Sequence, residues 1–364
     1  MEIKDFIYKS PYFCYVNLTE KCNLRCIHCF GNYDLANKNE LSLKQWKKVI
    51  NELIALKVFY INISGGEPTQ HLYFKDIIKF LNEKGMHFIL TTNGVFSKKM
   101  RDFIVKNQTY LIGIKISLDG PDIESHEFIR RSMGNKKGKI FNITLRNIKY
   151  FKKWGIPLTI ASILHKKNIR KLGKFSKLIK KINPISWFIS PIIPIGRADI
   201  FRNLFHCRNY FNLNFWNNIK NNNNNKNGIN VNLIDMPLEK NKLTAYECAA
   251  GLNFCEIHSD GTVSPCTLAR ICIKPEQIFF ENIKNKSLKE IWNGEAFLKF
   301  RDYMNTGCKG CKMLSKCNKC IAQSFRYFNN GSSPTPFCIK DGKKLGLKFF
   351  EEYKRTLNKE FGIK

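Results

Sequence analysis

Three cysteines near the start of the chain are spaced so that one short loop carries all three thiols. They stand in the segment Cys22-Asn-Leu-Arg-Cys26-Ile-His-Cys29. Three thiolates on one loop can ligate three irons of a cubane, whereas a 4Fe-4S cluster usually takes four cysteines. The missing fourth ligand would leave one iron open to a small molecule. Zinc is the competing occupant, but structural zinc has four closed ligands, and His28, between two of the cysteines, would be strained as the fourth.

Three further motifs combine glycine with polar side chains, and each directly follows an apolar run. They are Gly65-Gly66-Glu67-Pro68, Thr92-Asn93-Gly94 and Ser117-Leu118-Asp119-Gly120. Glycine lets a backbone approach a ligand closely, and a carboxylate such as that of Glu67 can pair with an ammonium group. Taken singly, each motif also fits an ordinary turn, because Asn-Gly and Asp-Gly are common in loops.

The second half of the chain carries a larger group of cysteines. In chain order these are Cys248, Cys255, Cys266, Cys308, Cys311, Cys317, Cys320 and Cys338. The run from 308 to 320 by itself fits a zinc ribbon as well as an iron–sulfur site. Cys14, Cys207 and Cys272 fall outside both groups, and a free buried thiol is their default interpretation, with Cys272 as an alternative ligand.

The elements that must position these motifs are predicted from hydrophobic periodicity. Short β-branched runs alternate with amphipathic stretches, which predicts strand–helix units and a parallel sheet. The predicted strands are 15–19, 60–64, 88–92, 112–118, 158–164 and 187–193, and the predicted helices are 42–56, 74–84, 98–106, 143–154 and 170–181. The motifs stand at the carboxyl ends of strands, where the active sites of barrels collect. Six such units predict an open α/β barrel.

The order of the motifs resembles the signature of the radical S-adenosylmethionine (SAM) superfamily, in which an aromatic residue, here Phe30, follows the cysteine triplet. The resemblance implies a partial (β/α)6 TIM-type barrel, in agreement with the six predicted units. It also implies one SAM-binding 4Fe-4S cluster on Cys22, Cys26 and Cys29. In this family SAM is split reductively to methionine and a 5′-deoxyadenosyl radical, which then takes a hydrogen atom from a substrate.

The same resemblance assigns SAM contacts to residues of the later motifs. They are Gly65, Gly66, Glu67, Pro68, Thr92, Asn93, Ser117, Asp119 and Arg130. In the family, the backbone and carboxylate of GGEP receive the methionine amino group, and the segment of Ser117 and Asp119 lies near the ribose and carboxylate. Arg130 matches a position that often steadies the SAM carboxylate, and a surface salt bridge is the alternative.

The C-terminal cysteines, with Gly261 five residues before Cys266, resemble a SPASM domain. The resemblance implies two auxiliary 4Fe-4S clusters, each with four cysteines. The first would be held by Cys248, Cys255, Cys266 and Cys320, and the second by Cys308, Cys311, Cys317 and Cys338. We predict a radical SAM core at 1–216, an Asn-rich linker or loop at 217–234, the SPASM domain at 235–343 and a C-terminal helix at 344–364.

Composition sets further bounds. The formal net charge is +32, which could attract a polyanion. Lysine and asparagine are abundant throughout and no Arg-rich motif stands out, so we do not expect nucleic acid as a partner. No apolar stretch is long enough for a secretory signal or a membrane span. We therefore expect a cytoplasmic protein whose thiols are reduced.

The substrate expected for this architecture is a ribosomally made peptide that receives a crosslink or another modification. Modification of a tetrapyrrole side chain and formation of formylglycine in a sulfatase are the alternatives, and a small-molecule substrate stays open. Sulfatase-maturating relatives commonly carry an aspartate, a proposed base, where this chain has Thr267. Arg197 is interpreted either as a carboxylate ligand or as a loop anchor.

Partners follow from the same family. An electron donor such as flavodoxin or ferredoxin is expected. The segment before Cys22 is short for a peptide-recognition domain, so a separate leader-peptide-binding protein is a further expectation. The non-enzymatic alternative is a zinc-binding protein that uses its basic surface on nucleic acid.

Overall fold

The computed structural model describes residues 7–33, 39–132, 138–193, 195–200, 229–233, 248–306 and 320–333. Its strands are β1 (Phe13–Asn17), β2 (Tyr60–Ser64), β3 (Phe88–Thr92), β4 (Leu111–Ser117), β5 (Leu158–Leu164), β6 (Ser186–Pro191), β7 (Asn230–Leu233), β8 (Phe254–Ile257) and β9 (Val263–Ser264). Within the described ranges they form one sheet in the order β7-β6-β5-β4-β3-β2-β1-β8-β9. Only β8 and β9 pair in antiparallel fashion. Since β7 and β9 stand at opposite edges, the barrel is open, as predicted.

Helices cover the outer face of this sheet and build the C-terminal part. They are α1 (Leu43–Ala55), α2 (Phe74–Glu83), α3 (Lys98–Lys106), α4 (Ile123–Ile129), α5 (Ile140–Lys153), α6 (Leu172–Ile182), α7 (Arg197–Ile200), α8 (Thr267–Cys272), α9 (Leu288–Trp292), α10 (Glu295–Thr306) and α11 (Ile321–Phe328). Helix α1 shows how the local sequence fixes the start of a helix. Ser42 caps α1 by accepting from the Gln45 amide, and the Gln45 side chain accepts from the Ser42 amide.

Hydrophobic periodicity predicted the barrel units well. Strands at 60–64, 88–92 and 158–164 are confirmed at both ends, as is the helix at 98–106. The helix predicted at 143–154 begins three residues earlier, at Ile140. Helix α4 was not predicted, because its seven residues are too few to show a helical period.

The two faces of the sheet differ in polarity. On β1, Cys14 and Val16 belong to the apolar core beneath the helices, whereas Tyr15 and Asn17 line a central cavity. Successive residues of a strand point to opposite faces. Alternation therefore separates the apolar residues that stabilise the barrel from the polar residues that face its interior.

The C-terminal part is joined to the barrel through the sheet itself. Strand β8 pairs with β1 in parallel, with Cys14 opposite Cys255. A second apolar cluster, which includes Phe300 and Phe325, packs below it. The end of the predicted linker differs from expectation, because Asn230–Leu233 pairs with β6 and Val231 is buried. The rest of the linker, the C-terminal helix and five cysteines lie outside the described residues: Cys207, Cys308, Cys311, Cys317 and Cys338.

Candidate functional site

The carboxyl ends of β1 to β4 enclose a cavity of about 270 Å³. The structure brings most of the predicted N-terminal site residues to its wall. These are Cys22, Cys26, Cys29, Gly65, Gly66, Thr92, Asn93, Ser117 and Arg130. Glu67, Pro68 and Asp119 are buried behind this wall. The cavity is thus the place where the separate motifs of the sequence meet.

The cysteine loop is held from both sides by backbone contacts. The amides of Arg25 and Ile27 donate to the carbonyls of Arg131 and Ile129, at 2.7 and 2.9 Å. On the other side, the two motif glycines pack against the backbone that leads into Cys22. A Cβ at Gly65 would lie 2.5 Å from the Thr19 carbonyl oxygen, and one at Gly66 would lie 2.4 Å from that of Lys21. The glycines are therefore required for this close approach.

Arg197 anchors the loop from a third side. Its Nε donates to the Cys26 carbonyl at 2.9 Å and its amide donates to the Cys29 carbonyl at 2.9 Å. One Nη donates to the Tyr33 carbonyl at 3.1 Å. Of the two interpretations of Arg197, this geometry favours the loop anchor, although the side chain also lines the cavity.

The thiols of Cys22 and Cys26 would lose their protons on binding a cluster. Burial raises the pKa of Cys22 to about 12, and burial raises that of Cys26 to about 11 against the lowering effect of Arg130. Neutral thiols in an apolar setting ionise when a metal binds them. Within the described ranges, no three His, Cys, Asp or Glu side chains form a ligand set for a single ion. The thiols of Cys22, Cys26 and Cys29 instead surround a shared cavity, which suits an iron–sulfur cluster with room beside it.

His28 lines the same cavity without serving as an evident ligand. Burial lowers the pKa of His28 to about 3, and Arg130 lowers it further. Its Nε2 lies 4.0 Å from the Asp119 carboxylate, and its Nδ1 is buried without a hydrogen-bond partner among the described residues. His28 is therefore a neutral imidazole next to the thiols, in agreement with the expectation that it would be strained as a fourth ligand.

Glu67 differs from expectation. Its carboxylate is fully buried and does not line the cavity. It accepts from the hydroxyls of Thr69 and Thr92, both at 2.8 Å, and from the Asn93 amide at 2.8 Å. Burial raises the pKa of Glu67, while these donors oppose the rise. With its acceptors occupied, Glu67 positions the Thr92–Asn93 turn and does not present a free carboxylate to a ligand.

Asp119 and Arg130 form a buried ion pair. The Arg130 Nε donates to an Asp119 oxygen at 2.5 Å, and the other oxygen accepts from the Ile163 amide at 2.7 Å. Burial is the largest single effect and would raise the pKa of Asp119, but Arg130 and the other neighbouring groups together outweigh burial and hold that pKa below its ordinary value. Arg130 lines the cavity with Asp119 behind it. The pair is thus not at the surface, and Asp119 itself does not reach the cavity.

Lys115 and Glu256 are among the polar residues of the wall that sequence reasoning missed, and Thr267 also lies on this wall. Lys115 interrupts an apolar strand, and its Nζ lies 4.5 Å from the centroid of the Phe188 ring. That single charge in an apolar run was a usable signal. Glu256 gave no such signal, since β8 has four residues and its partner β1 lies far away in the chain.

The four auxiliary cysteines that the structure describes fall into two places. Cys248, Cys266 and Cys320 pack against the same C-terminal apolar cluster. Burial raises the pKa of Cys266, and the neighbouring Cys248 thiol raises it further. Cys255 instead lies in the barrel core, with its Sγ 3.6 Å from that of Cys14. The structure therefore separates Cys255 from the three cysteines with which the resemblance grouped it.

Two family models match the chain. One is the Radical SAM superfamily, over residues 16–179, and the other is SPASM, an iron–sulfur cluster-binding domain, over residues 248–321. No helix among the described residues has the length and apolar character needed to cross a bilayer.

Named relatives agree with these matches. An AdoMet-dependent heme synthase of Methanosarcina barkeri is 25% identical, covering 90% of this chain and 96% of that protein. Mycofactocin maturase MftC of Mycolicibacterium smegmatis is 26% identical, covering 89% and 81%. The crystal structure of Streptococcus suis SuiB bound to precursor peptide SuiA has a TM-score of 0.73 at 16% identity, covering 93% and 78%, and shows the shared fold.

These matches confirm the predicted family, fold class and cofactors, namely SAM, a 4Fe-4S cluster and auxiliary iron–sulfur clusters. They favour this family over the alternative of a zinc-binding protein that acts on nucleic acid. With three thiols, two glycines and a buried arginine gathered on one cavity at the carboxyl ends of parallel strands, this chain belongs to the radical SAM superfamily and is an enzyme with a C-terminal SPASM domain.

Proposed function

We propose that this enzyme takes a hydrogen atom from a peptide and thereby starts a post-translational modification. The observation that carries the proposal is the single cavity shared by the cysteine loop, the glycine turn and Arg130. The similarity of this chain to mycofactocin maturase MftC over most of its length supports a peptide substrate. The fold shared with SuiB, which was solved with a precursor peptide, agrees with it.

The ligands of the SAM-binding cluster in this proposal are Cys22, Cys26 and Cys29. When bound, the cluster supplies the electron that splits SAM to methionine and a 5′-deoxyadenosyl radical. Arg197 and the two glycines keep the cysteine loop in one conformation. A fixed loop matters because the substrate carbon has to meet the radical at short range.

SAM itself would be held by the wall next to the thiols. The backbone of Gly65 and Gly66 is open to the cavity and suits the methionine amino group. Arg130 offers a guanidinium to the SAM carboxylate, while Asp119 keeps that guanidinium oriented. Ser117, Thr92 and Asn93 complete the polar surface. Glu67 contributes indirectly, because it positions the Thr92–Asn93 turn.

Partners follow from the same chemistry. Reductive cleavage needs a one-electron donor, and a flavodoxin or ferredoxin fits the basic surface of a chain with net charge +32. We also propose that a separate protein presents the leader of the peptide. Cys248, Cys266 and Cys320 are the proposed ligands of an auxiliary cluster.

A tetrapyrrole is the second candidate substrate. The similarity to an AdoMet-dependent heme synthase over nearly its whole length favours it. Lys115 also favours it, because it lines the cavity and makes no ion pair among the described residues, so it could bind a propionate. Formylglycine formation is less favoured, since Thr267 stands where an acidic base would be expected.

The test uses the full-length protein, purified and reconstituted without air and reduced with dithionite in the presence of SAM. We expect 5′-deoxyadenosine, and we expect deuterium in it when the probe is a peptide pool digested from fully deuterated protein. Deuterated Fe-coproporphyrin III, a tetrapyrrole, is the competing probe. Replacing Cys22, Cys26 and Cys29 together with alanine should abolish the product.

The matched control is Cys14→Ala, which removes a thiol that faces the core rather than the cavity. It should leave 5′-deoxyadenosine formation intact. Deuterium transfer from the deuterated tetrapyrrole, and none from the peptides, would overturn the peptide assignment. Continued formation of 5′-deoxyadenosine by the triple variant would overturn the assignment of the cluster ligands.

A further inference from the structure

Lys115 is a basic residue on the wall of the cavity that none of the SAM chemistry above uses. It lies on β4 between Ile114 and Ile116, which are buried in the apolar core of the barrel. Successive residues of a strand point to opposite faces, so Lys115 points to the interior, where its side chain lines the cavity. The sequence therefore places one lysine inside the barrel, in the middle of a parallel sheet.

The position of Lys115 along β4 places it beside the substrate rather than beside SAM. Ser117, which belongs to the proposed SAM surface, ends β4 and lies two residues later on the same face. At the usual rise of a strand, the backbone of Lys115 lies about 7 Å deeper in the barrel than that of Ser117. Its register partners are Thr91 of β3 and Thr159 of β5. SAM at the strand ends leaves this deeper part of the cavity to the substrate.

Lys115 has no counter-charge in the part of the chain that the structure describes. Its Nζ makes neither an ion pair nor a hydrogen bond there, and it lies 4.5 Å from the centroid of the Phe188 ring. The two guanidinium groups of the wall are already engaged, Arg130 with Asp119 and Arg197 with backbone carbonyls. Among the described residues of the wall, Lys115 is thus the cation that remains for a ligand.

We infer that Lys115 recognises the substrate by binding one of its carboxylate groups, so that the enzyme acts at an acidic position of a peptide. The inference rests on the proposed function, because the peptide must occupy this cavity. The carboxylate belongs either to an aspartate or glutamate side chain or to the C-terminus of the peptide. A charge-assisted hydrogen bond of this kind is both strong and directional. It would hold the neighbouring substrate carbon within reach of the 5′-deoxyadenosyl radical.

The surroundings of Lys115 favour an anion as its ligand. Burial lowers the pKa of Lys115, and no charge on the described residues opposes this effect. An ammonium group that is shielded from water and lacks an anion carries a cost of desolvation, which an incoming carboxylate offsets. The Phe188 ring attracts the ammonium group from one side only, and an ammonium group has three N–H donors. Donors therefore remain for the two oxygens of a carboxylate.

A purely structural role explains Lys115 less well. A lysine beside a phenylalanine ring also occurs outside the barrel, where Nζ of Lys47 lies 5.0 Å from the centroid of the Phe80 ring. Lys47 is half-buried on α1, which covers the outer face of the sheet, so its stem covers apolar surface while the ammonium group stays in water. Inside the barrel, methionine would fill the same space against Phe188 without the cost of shielding a charge.

The test compares Lys115→Met with the matched control Lys47→Met in the full-length protein, reconstituted without air. The probes are the deuterated peptide pool and the same pool after methyl esterification of its carboxyl groups, and deuterium in 5′-deoxyadenosine is measured. The wild type and Lys47→Met should take about ten- to a hundredfold less deuterium from the esterified pool, because a hydrogen bond between charged groups is lost. Lys115→Met should show the same low transfer from both pools.

Further measurements separate substrate recognition from folding and from SAM binding. Lys115→Arg keeps the charge and should keep part of the preference for free carboxylates. A folded Lys115→Met protein that keeps the full wild-type preference would overturn the inference. So would a loss of SAM affinity in Lys115→Met as large as its loss of deuterium transfer, since the lysine would then belong to the SAM site. If Lys115→Met does not fold, equal transfer from both pools by the wild type is the result that overturns it.

Two synthetic deuterated peptide libraries distinguish the possible sources of the carboxylate. One library has amidated C-termini and contains aspartate and glutamate, and the other has free C-termini and contains neither residue. Transfer from the first library alone assigns a side-chain carboxylate, and transfer from the second alone assigns the C-terminus. Transfer from either library that is undiminished in Lys115→Met would overturn the inference.

Failure of the proposed function would look different from failure of this inference. If the wild type takes deuterium from no peptide probe, the peptide assignment fails, and acetylation of Lys115 by acetic anhydride, read by mass spectrometry, still judges the residue. Protection of Lys115 by Fe-coproporphyrin III, and none by its methyl ester, would keep Lys115 as the carboxylate-binding residue for a tetrapyrrole. Equal acetylation in the presence of the free acid and of the ester would overturn the inference itself.

Discussion

At the scale of single residues, the site is built around charges that the fold has taken out of water. Asp119 is fully buried and balanced by Arg130, whose guanidinium reaches the cavity. The attraction within a buried pair only partly offsets the cost of removing two ions from water. Such a pair therefore contributes little net stability, but it keeps one guanidinium at a fixed position.

Asp119→Asn should destabilise the protein by roughly 3 to 5 kcal/mol, because Arg130 would remain buried without its counter-charge. Urea unfolding of the cluster-free protein at pH 7 measures this change. The double variant Asp119→Asn, Arg130→Met should be less destabilised than the single one, and equal losses would contradict the argument.

The pH dependence of this pair has a definite sign. The folded-state pKa of Asp119 is lowered, so its stabilising effect is complete above the ordinary carboxyl pKa and is lost as the pH falls through the folded value. Glu256 has the opposite sign: because its pKa is raised, the stability of the folded state falls as the pH rises from the ordinary carboxyl value to about 7, and this cost persists above pH 7. The two buried acids thus change the stability of the folded state in opposite directions as the pH rises.

At the scale of elements, the cysteine loop has its conformation imposed by neighbouring segments. Gly196, just before α7, has φ 63°, and a Cβ there would lie 2.2 Å from the Phe30 carbonyl oxygen. The loop lies against this glycine and is then fastened by Arg197. Backbone that carries the proposed cluster ligands is therefore fixed by contacts made about 170 residues later in the chain.

Gly196→Ala should displace the loop and reduce the iron bound at the N-terminal site by at least half after reconstitution, because the clash is with backbone and cannot be relieved by a side-chain rotation. Iron and sulfide analysis measures this loss. Gly173→Ala, in α6 with open space around the Cβ, is the matched control and should stabilise by about 0.5 to 1 kcal/mol. Full iron in Gly196→Ala would contradict the role given to Gly196.

Sequence periodicity predicted most barrel elements because each carries its own signal. The strand at 60–64 is a β-branched run, and the helix at 98–106 has its own cap at Ser97. Strand β8 has neither advantage, since four residues give little pattern and its stability comes from pairing with β1. Glu256, which lies on β8, was for this reason outside the reach of sequence reasoning.

At the scale of the whole molecule, pairing of β8 with β1 joins the cysteine-rich C-terminal part to the barrel. Because it extends the sheet beside β1, the two parts share one continuous layer, and residues of β8 face either the cavity or the outer core. Cysteine spacing cannot tell these faces apart. Glu256 and Cys255 are neighbours in sequence and lie on opposite sides of the sheet.

This geometry leads to a prediction about the auxiliary ligands. In the Cys22, Cys26, Cys29 triple alanine background, all remaining iron belongs to the C-terminal part. Cys266→Ala should remove a large fraction of that iron, because the Cys266 thiol neighbours Cys248 and both pack against the C-terminal apolar cluster. Cys255→Ala should retain it, because its thiol faces Cys14 in the barrel core.

Unfolding measurements complete the comparison. Cys255→Ala leaves a small cavity in a packed core and should cost about 1 kcal/mol, without a change in the iron-to-protein ratio or in the electron paramagnetic resonance of the reduced clusters. Loss of iron from Cys255→Ala equal to that from Cys266→Ala would restore Cys255 to the ligand set. It would also mean that β8 turns over when the cluster forms, since strand alternation otherwise keeps Cys255 and Glu256 on opposite faces.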